Sequence, residues 1–119
     1  MEELRLGIIE TRFAEIIWQN APMTLRELVK KCEEELQWKR TTTYTVLTKL
    51  CNRGFFRSEK RVVTVLISKE EYNAIQSEQF VNETFKGSFS AFVAAFTSRK
   101  ALSEEEMQEL RNIVESFEE

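Results

Sequence analysis

The side chains that could do chemistry are unevenly supplied in this sequence. It has no His and no Asp, so a general base near neutral pH would have to be a strongly shifted Glu, Lys or Cys. Its two cysteines, Cys32 and Cys51, stand at no metal or redox spacing, and without His or paired Cys zinc has almost nothing to bind. These absences argue against a small-molecule enzyme and against any metal or other cofactor. The bland reading of Cys32 and Cys51 is free thiols in a reducing cytosol. What the chain concentrates is hydroxyls and cations. The stretch WKRTTTYTVLTKLCNRGFF, residues 38–56, carries Thr41, Thr42, Thr43, Tyr44, Thr45 and Thr48 together with Lys39, Arg40, Lys49 and Arg53, and no acid.

Thr is a mediocre helix former because branching at Cβ costs side-chain freedom. A merely solvated helix face would use Glu, Lys and Gln instead. Helical phase makes Thr43, Val46, Leu47 and Leu50 an inner stripe. It turns Thr41, Thr42, Thr45, Thr48, Lys49 and Asn52 outward, with Tyr44 on the flank. Small donors and acceptors near a helix N-terminus suit base edges in a major groove, where the Thr methyl can also pack on thymine. Cations further along, here Lys39, Arg40 and Lys49, fix register on phosphates. The free amides of the helix start add a phosphate site. Tyr44 could pack, stack or hydrogen-bond a phosphate.

Charge follows the same division. The chain's net charge of −3 announces no nucleic acid, but residues 36–61 hold seven cations and one anion, a local balance of +6. Residues 68–119 hold 5 Lys/Arg against 11 Glu.

Short elements must position these groups. Residues 4–19 read as an amphipathic helix with Ile9, Phe13, Ile16 and Ile17 on one side, stopped before Pro22. Thr24 with Glu27 forms a capping box opening a second helix over 25–35. The third helix begins at Arg40 or Thr41 and runs to about Arg53, with Gly54 placed for a left-handed cap. Phe55–Ser58 and Val62–Ile67 read as strands around the polar turn Glu59-Lys60-Arg61. In that turn Lys60 and Arg61 are either phosphate contacts or a solvated hairpin tip. Trp18 and Trp38 read as core packing, and Arg12 and Arg26 as generic surface cations. Three helices and a hairpin are the order of a winged helix-turn-helix.

Beyond it, Ser68 with Glu71 and Ser103 with Glu106 form two more capping boxes, and Ser88 can cap a short helix between them. The last helix carries Met107, Leu110, Val114 and Phe117 at helical steps. This half also holds Phe80, Phe85, Phe89, Phe92 and Phe96, more than so short a segment buries alone. A helix-turn-helix usually reads two half-sites as a symmetric dimer, and two interlocked copies would bury these rings. The expected fold is therefore mainly α with a small β-hairpin: a winged helix-turn-helix, residues 1–68, plus a C-terminal helical dimerisation part, residues 69–119. No apolar run follows a basic start, and none approaches the ~18 residues of a membrane span. A soluble, cytoplasmic protein without membrane insertion is expected.

Almost the whole chain resembles the BlaI/MecI/CopY family of penicillinase-type repressors. The resemblance rests on "LGIIE…IIW", "MTLREL", "WKRTTTYTVLTKLCNRGF", "SKEEY", "KGSFSAFVAAF" and "LSEEEMQELRNIV", of which the third and fifth are the specific ones. It implies a repressor whose winged helix binds double-stranded DNA at a promoter dyad and whose C-terminal helices form a homodimer. Such repressors control β-lactam resistance or copper-handling genes. Carried over by position, the base readers are Thr41, Thr42 and Thr45, with Lys49 as the basic residue late in the recognition helix. Resistance repressors often have Lys where Thr41 stands, and TACA/TGTA-like dyads are the first guess for the site. In the β-lactam branch a membrane sensor receives the antibiotic, and the repressor is then cut at an Asn–Phe bond. The candidate scissile pair here is Ala95–Phe96. The copper branch has paired Cys-x-Cys near its C-terminus, which this chain lacks, so the resemblance does not extend to direct copper sensing. A different class remains open: a winged-helix protein–protein adaptor that binds no DNA, which would need no basic helix face.

Overall fold

The computed structural model describes residues 4–117. The elements are α1 (Ile8–Asn20), β1 (Met23–Thr24), α2 (Leu25–Leu36), α3 (Arg40–Asn52), β2 (Phe56–Glu59), β3 (Val62–Val65), α4 (Lys69–Phe85), α5 (Phe89–Arg99) and α6 (Glu104–Glu115). The fold is mainly helical with one small antiparallel sheet. Two compact units divide inside α4, one running to Ser77 and the other starting at Glu78. The ends of the domains expected from the sequence, residues 1–3 and 118–119, lie outside the described residues.

In the first unit α1, α2 and α3 enclose one core with the sheet. Phe13, Ile17, Leu28, Leu50, Phe55, Phe56 and Val63 are fully buried in it. Amphipathic spacing accounts for the helices, and local chemistry sets their ends. α1 starts at Ile8, not at Leu4, because the Glu10 carboxylate accepts the Gly7 N–H at 2.9 Å and fixes Gly7 as the cap. Residues 4–7 are non-helical, and the buried Leu6 donates its N–H to the Tyr72 hydroxyl at 2.9 Å. The Thr24–Glu27 box opens α2, and Gln37 in left-handed geometry closes it. α3 ends in a Schellman turn. Gly54, at φ +87°, donates to Cys51 O, and Phe55 donates to Leu50 O, with both apolar partners of the motif buried.

The hairpin acquires a third strand that the sequence reading lacked. β1 pairs with β3 (Met23↔Val63, Thr24↔Val62), giving the order β1-β3-β2. Two residues are too few to show alternation, which is why β1 escaped notice. Leu25 N–H donates to Arg61 O at 3.0 Å, tying the start of α2 to the wing. β3 stops at Val65 because Leu66 and Ile67 both turn their N–H groups to Phe55 O. The first turns of α4 belong to this core through Tyr72, whose ring lies against Trp18 and Phe55. Trp18 donates its indole N–H to Ile67 O, and Trp38 stacks on Phe13 at 5.6 Å. Both tryptophans are packing residues.

The second unit contains the end of α4 with α5 and α6. Lys86 and Gly87, both at positive φ, end α4. The Ser88 hydroxyl accepts Ala91 N–H, and Ser103 with Glu106 boxes the start of α6. Phe92 sits among Phe80, Phe85, Phe89 and Phe96 with ring centroids 5.7–6.2 Å apart. Yet no residue of α5 or α6 is fully buried.

Candidate nucleic-acid interface

α3 is held to the core by Thr43, Leu47 and Leu50, all buried, with Val46 partly so. Thr43 satisfies its buried hydroxyl on Lys39 O at 3.3 Å, and it also hydrogen-bonds the Cys32 thiol. Burial pushes the Cys32 thiol up against that hydrogen bond, and burial raises Cys51 as well, so neither cysteine offers a thiolate near neutral pH. Both thiols are free.

With the stripe anchored, Thr41, Thr42, Thr45, Thr48, Lys49 and Asn52 are exposed on the opposite side. Thr45 donates its hydroxyl to Thr41 O at 2.9 Å. Lys39 is the N-cap of α3 and makes no side-chain cap, so the first amides of the helix are left for another acceptor. Arg40 and Tyr44 then line a cleft of about 1020 Å³ whose other wall is the wing, with Lys60 and Arg61 at its tip. α2 contributes Arg26, Lys30 and one acid, Glu33, to the same cleft, which keeps an excess of cations. Four of the predicted backbone contacts, Arg40, Tyr44, Lys60 and Arg61, thus converge on one basic depression. Lys30 was not singled out by the sequence, and Arg26 was read only as generic. Their membership depends on α2 crossing beside the wing, which no local pattern reveals.

Lys49 is set apart from that cleft. Its ammonium lies 2.9 Å from Glu10 Oε2 on α1, with the lysine side chain still 63% exposed. Arg53 reaches Glu10 Oε1 at 3.6 Å and donates to Arg5 O at 2.7 Å. The Gly7 N–H, then the Lys49 ammonium, holds the Glu10 carboxyl below the usual carboxylate range. Glu10 is a neighbour of Lys49 that sequence reasoning missed. The signal was the Gly7-x-x-Glu10 spacing, a capping box with glycine in place of Ser or Thr. Arg12 donates to Glu35 O and serves the α1–α2 packing.

In the second unit the residues expected at a dimer surface are exposed or half-buried: Phe89 (61%), Phe96 (47%), Leu110 (36%), Val114 (56%) and Phe117 (80%) are open, and Phe85 and Phe92 partly covered. Ala95 and Phe96 lie inside α5, where Ser98 Oγ donates to Ala95 O and Lys100 N–H to Phe96 O. Among the described residues no group of three or more His, Cys, Asp or Glu could hold a metal ion, and no helix is long and apolar enough to cross a membrane.

A three-helix unit with a wing and a basic, acid-free outer face on its third helix defines a winged helix-turn-helix protein. Its sequence places it more narrowly: the chain belongs to the penicillinase repressor family, whose family model matches residues 6–116. It is 27% identical over 109 residues to the methicillin resistance regulatory protein MecI of Staphylococcus aureus, covering 88% of this chain and 89% of that one. It is 27% identical over 110 residues to the penicillinase repressor of Bacillus licheniformis, covering 89% and 86%. Among solved structures, Staphylococcus aureus MarR in complex with salicylate and kanamycin aligns with a TM-score of 0.47 at 15% identity, covering 93% of this chain and 70% of that one.

Proposed function

We propose that this protein represses transcription by binding a promoter dyad as a homodimer, each protomer laying α3 in a major groove. Thr41, Thr42 and Thr45 read base edges. Lys39 and the α3 amides grip one phosphate stretch, Arg40, Tyr44, Lys60 and Arg61 another, and Lys49 a third. The observation that carries this reading is the convergence of Arg40, Tyr44, Lys60 and Arg61 on one cleft beside an outer helix face that has no acid. Exposed apolar side chains on α5 and α6, in a unit without a buried residue on either helix, support a second copy as the partner of that half. TACA/TGTA-like dyads are the first sites to try, and β-lactam-resistance or metal-handling genes the first targets. Relief of repression follows loss of the dimer. If a protease acting downstream of a membrane sensor cuts at Ala95–Phe96, α5 must unwind first, because both residues sit within the helix.

Fluorescence anisotropy with full-length protein tests the reading. A TACA/TGTA dyad should bind tighter than random duplex, and both complexes should weaken steeply with salt. No binding to either duplex at tens of micromolar protein would turn the assignment toward a winged-helix adaptor.

A further inference from the structure

One carboxylate of α1 serves two cations, one in α3 and one at its end, and it holds them differently. Glu10 Oε1 accepts the Gly7 N–H at 2.9 Å and lies 3.6 Å from Arg53 Nη1, while Oε2 lies 2.9 Å from Lys49 Nζ. Arg53 is fixed. Its side chain is 18% exposed, it donates to Arg5 O, and its guanidinium lies 5.4 Å from the Phe55 ring centre. Lys49 is loose. Its side chain is 63% exposed, and its contact is the one to Oε2. Withdrawing Lys49 therefore leaves Glu10 with the Gly7 N–H and the Arg53 charge. Withdrawing Arg53 would in addition break its hydrogen bond to Arg5 O and its contact with the Phe55 ring.

Lys49 also lies one helical turn beyond Thr45, on the same face of α3. A phosphate flanking the bases read by Thr45 is within reach of a side chain that long. We propose that Glu10 stores Lys49 for DNA: it holds the ammonium in the free protein and releases it to a backbone phosphate on binding, with Arg53 keeping the carboxylate compensated. This rests on the DNA-binding reading above and adds to it an internal competitor for one phosphate contact. The exposed lysine loses little on leaving, and Arg53 still compensates the carboxylate although Oε2 is buried, so the exchange is inexpensive. It nevertheless subtracts from affinity for every duplex, and it makes Glu10 a positioning residue that never touches the ligand.

Anisotropy titrations of full-length protein with a random-sequence duplex, over a range of salt, test this. Glu10→Gln keeps an acceptor for the Gly7 N–H and removes the charge. It should bind about two- to fivefold tighter, and the gain should vanish when Lys49→Met is added. Lys49→Met alone should bind more weakly, with the salt slope flatter by about 0.9. A folded Glu10→Gln variant that binds no tighter overturns the proposal. So does a gain that survives in the double variant, which would be plain repulsion between Glu10 and DNA. If Glu10→Gln does not fold, the Lys49→Met slope decides alone: an unchanged slope removes Lys49 from the phosphates. Failure of the parent protein to bind any duplex overturns the DNA reading and this proposal together, whereas parent binding with an unchanged Lys49→Met slope overturns only this one.

Discussion

Thr45 donates its hydroxyl hydrogen to the carbonyl of Thr41, one turn earlier in α3, at 2.9 Å. The two candidate base readers are therefore not independent. With its only hydrogen spent on the helix, Thr45 can offer a groove its methyl and an accepting oxygen, but no donor. A methyl contact to thymine follows, worth roughly 0.8 kcal/mol per buried carbon. Thr45→Val should keep the base preference at that position, and Thr45→Ser should relax it by about 1 kcal/mol. Binding to a panel of dyads varied one base pair at a time separates the two. A Val variant that loses preference while Ser keeps it would reverse the assignment.

The inner stripe of α3 was legible because period and burial coincide: Thr43, Leu47 and Leu50 were placed by spacing alone, and all three are buried. Capping boxes at Thr24, Ser68 and Ser103 were equally local, and each forms. What was not legible is non-local. β1 exists only because β3 lies beside it. The start of α1 moved from Leu4 to Ile8 because a glycine replaced the hydroxyl residue in a box that otherwise reads like the others. The Glu10–Lys49 pair joins helices far apart in sequence, and a rule for i,i+4 neighbours cannot see it. The outward direction of Lys49 was legible, but its partner was not.

The wing turn carries strain where it carries charge. Lys60 and Arg61 are the two residues between β2 and β3, and both have positive φ, at 52° and 63°. Tight hairpins of this kind prefer Asn-Gly, because side chains other than Gly and Asn pay about 1–2 kcal/mol in left-handed geometry. Replacing both residues with Asn-Gly should therefore raise the stability of the first unit by about 1–2 kcal/mol. It should also lower affinity for all duplexes and flatten the salt slope by up to about 1.8 for two lost phosphate contacts. Thermal unfolding and salt titration read the two effects separately. Unchanged DNA binding would leave Lys60 and Arg61 as a solvated hairpin tip.

Glu10, Glu27 and Glu106 share a pH signature. Each accepts a backbone N–H, from Gly7, Thr24 and Ser103, and that bond is the main cause holding each carboxyl below its usual range. A folded value below the unfolded one means that the stabilisation is present above the unfolded carboxylate value, about 4.3, and is lost as pH falls through the lowered folded value. Urea midpoints should therefore hold steady above about pH 5 and decline below it. Glu10→Gln should flatten the decline most, because Glu10 is partly buried and paired with both Lys49 and Arg53. An equal decline in parent and variant would assign the acid sensitivity elsewhere.

Val114 and Phe92 separate assembly from folding in the second unit. Val114 is 56% exposed on α6 and not part of a buried core, so Val114→Lys disturbs the fold of the chain little. Phe92 touches four other rings, and Phe92→Ala should loosen the unit itself, by at most about 3 kcal/mol. If α6 meets a second copy, Val114→Lys places a cation in an apolar interface, where desolvation without a partner is costly. Helical circular dichroism should be kept, while sedimentation velocity should shift from dimer to monomer at micromolar concentration. Affinity for a dyad should then fall about 100-fold or more, because each half-site must be bound alone. A Val114→Lys protein that still sediments as a dimer would move the interface off this face of α6, and one that is monomeric yet binds the dyad like the parent would uncouple assembly from recognition.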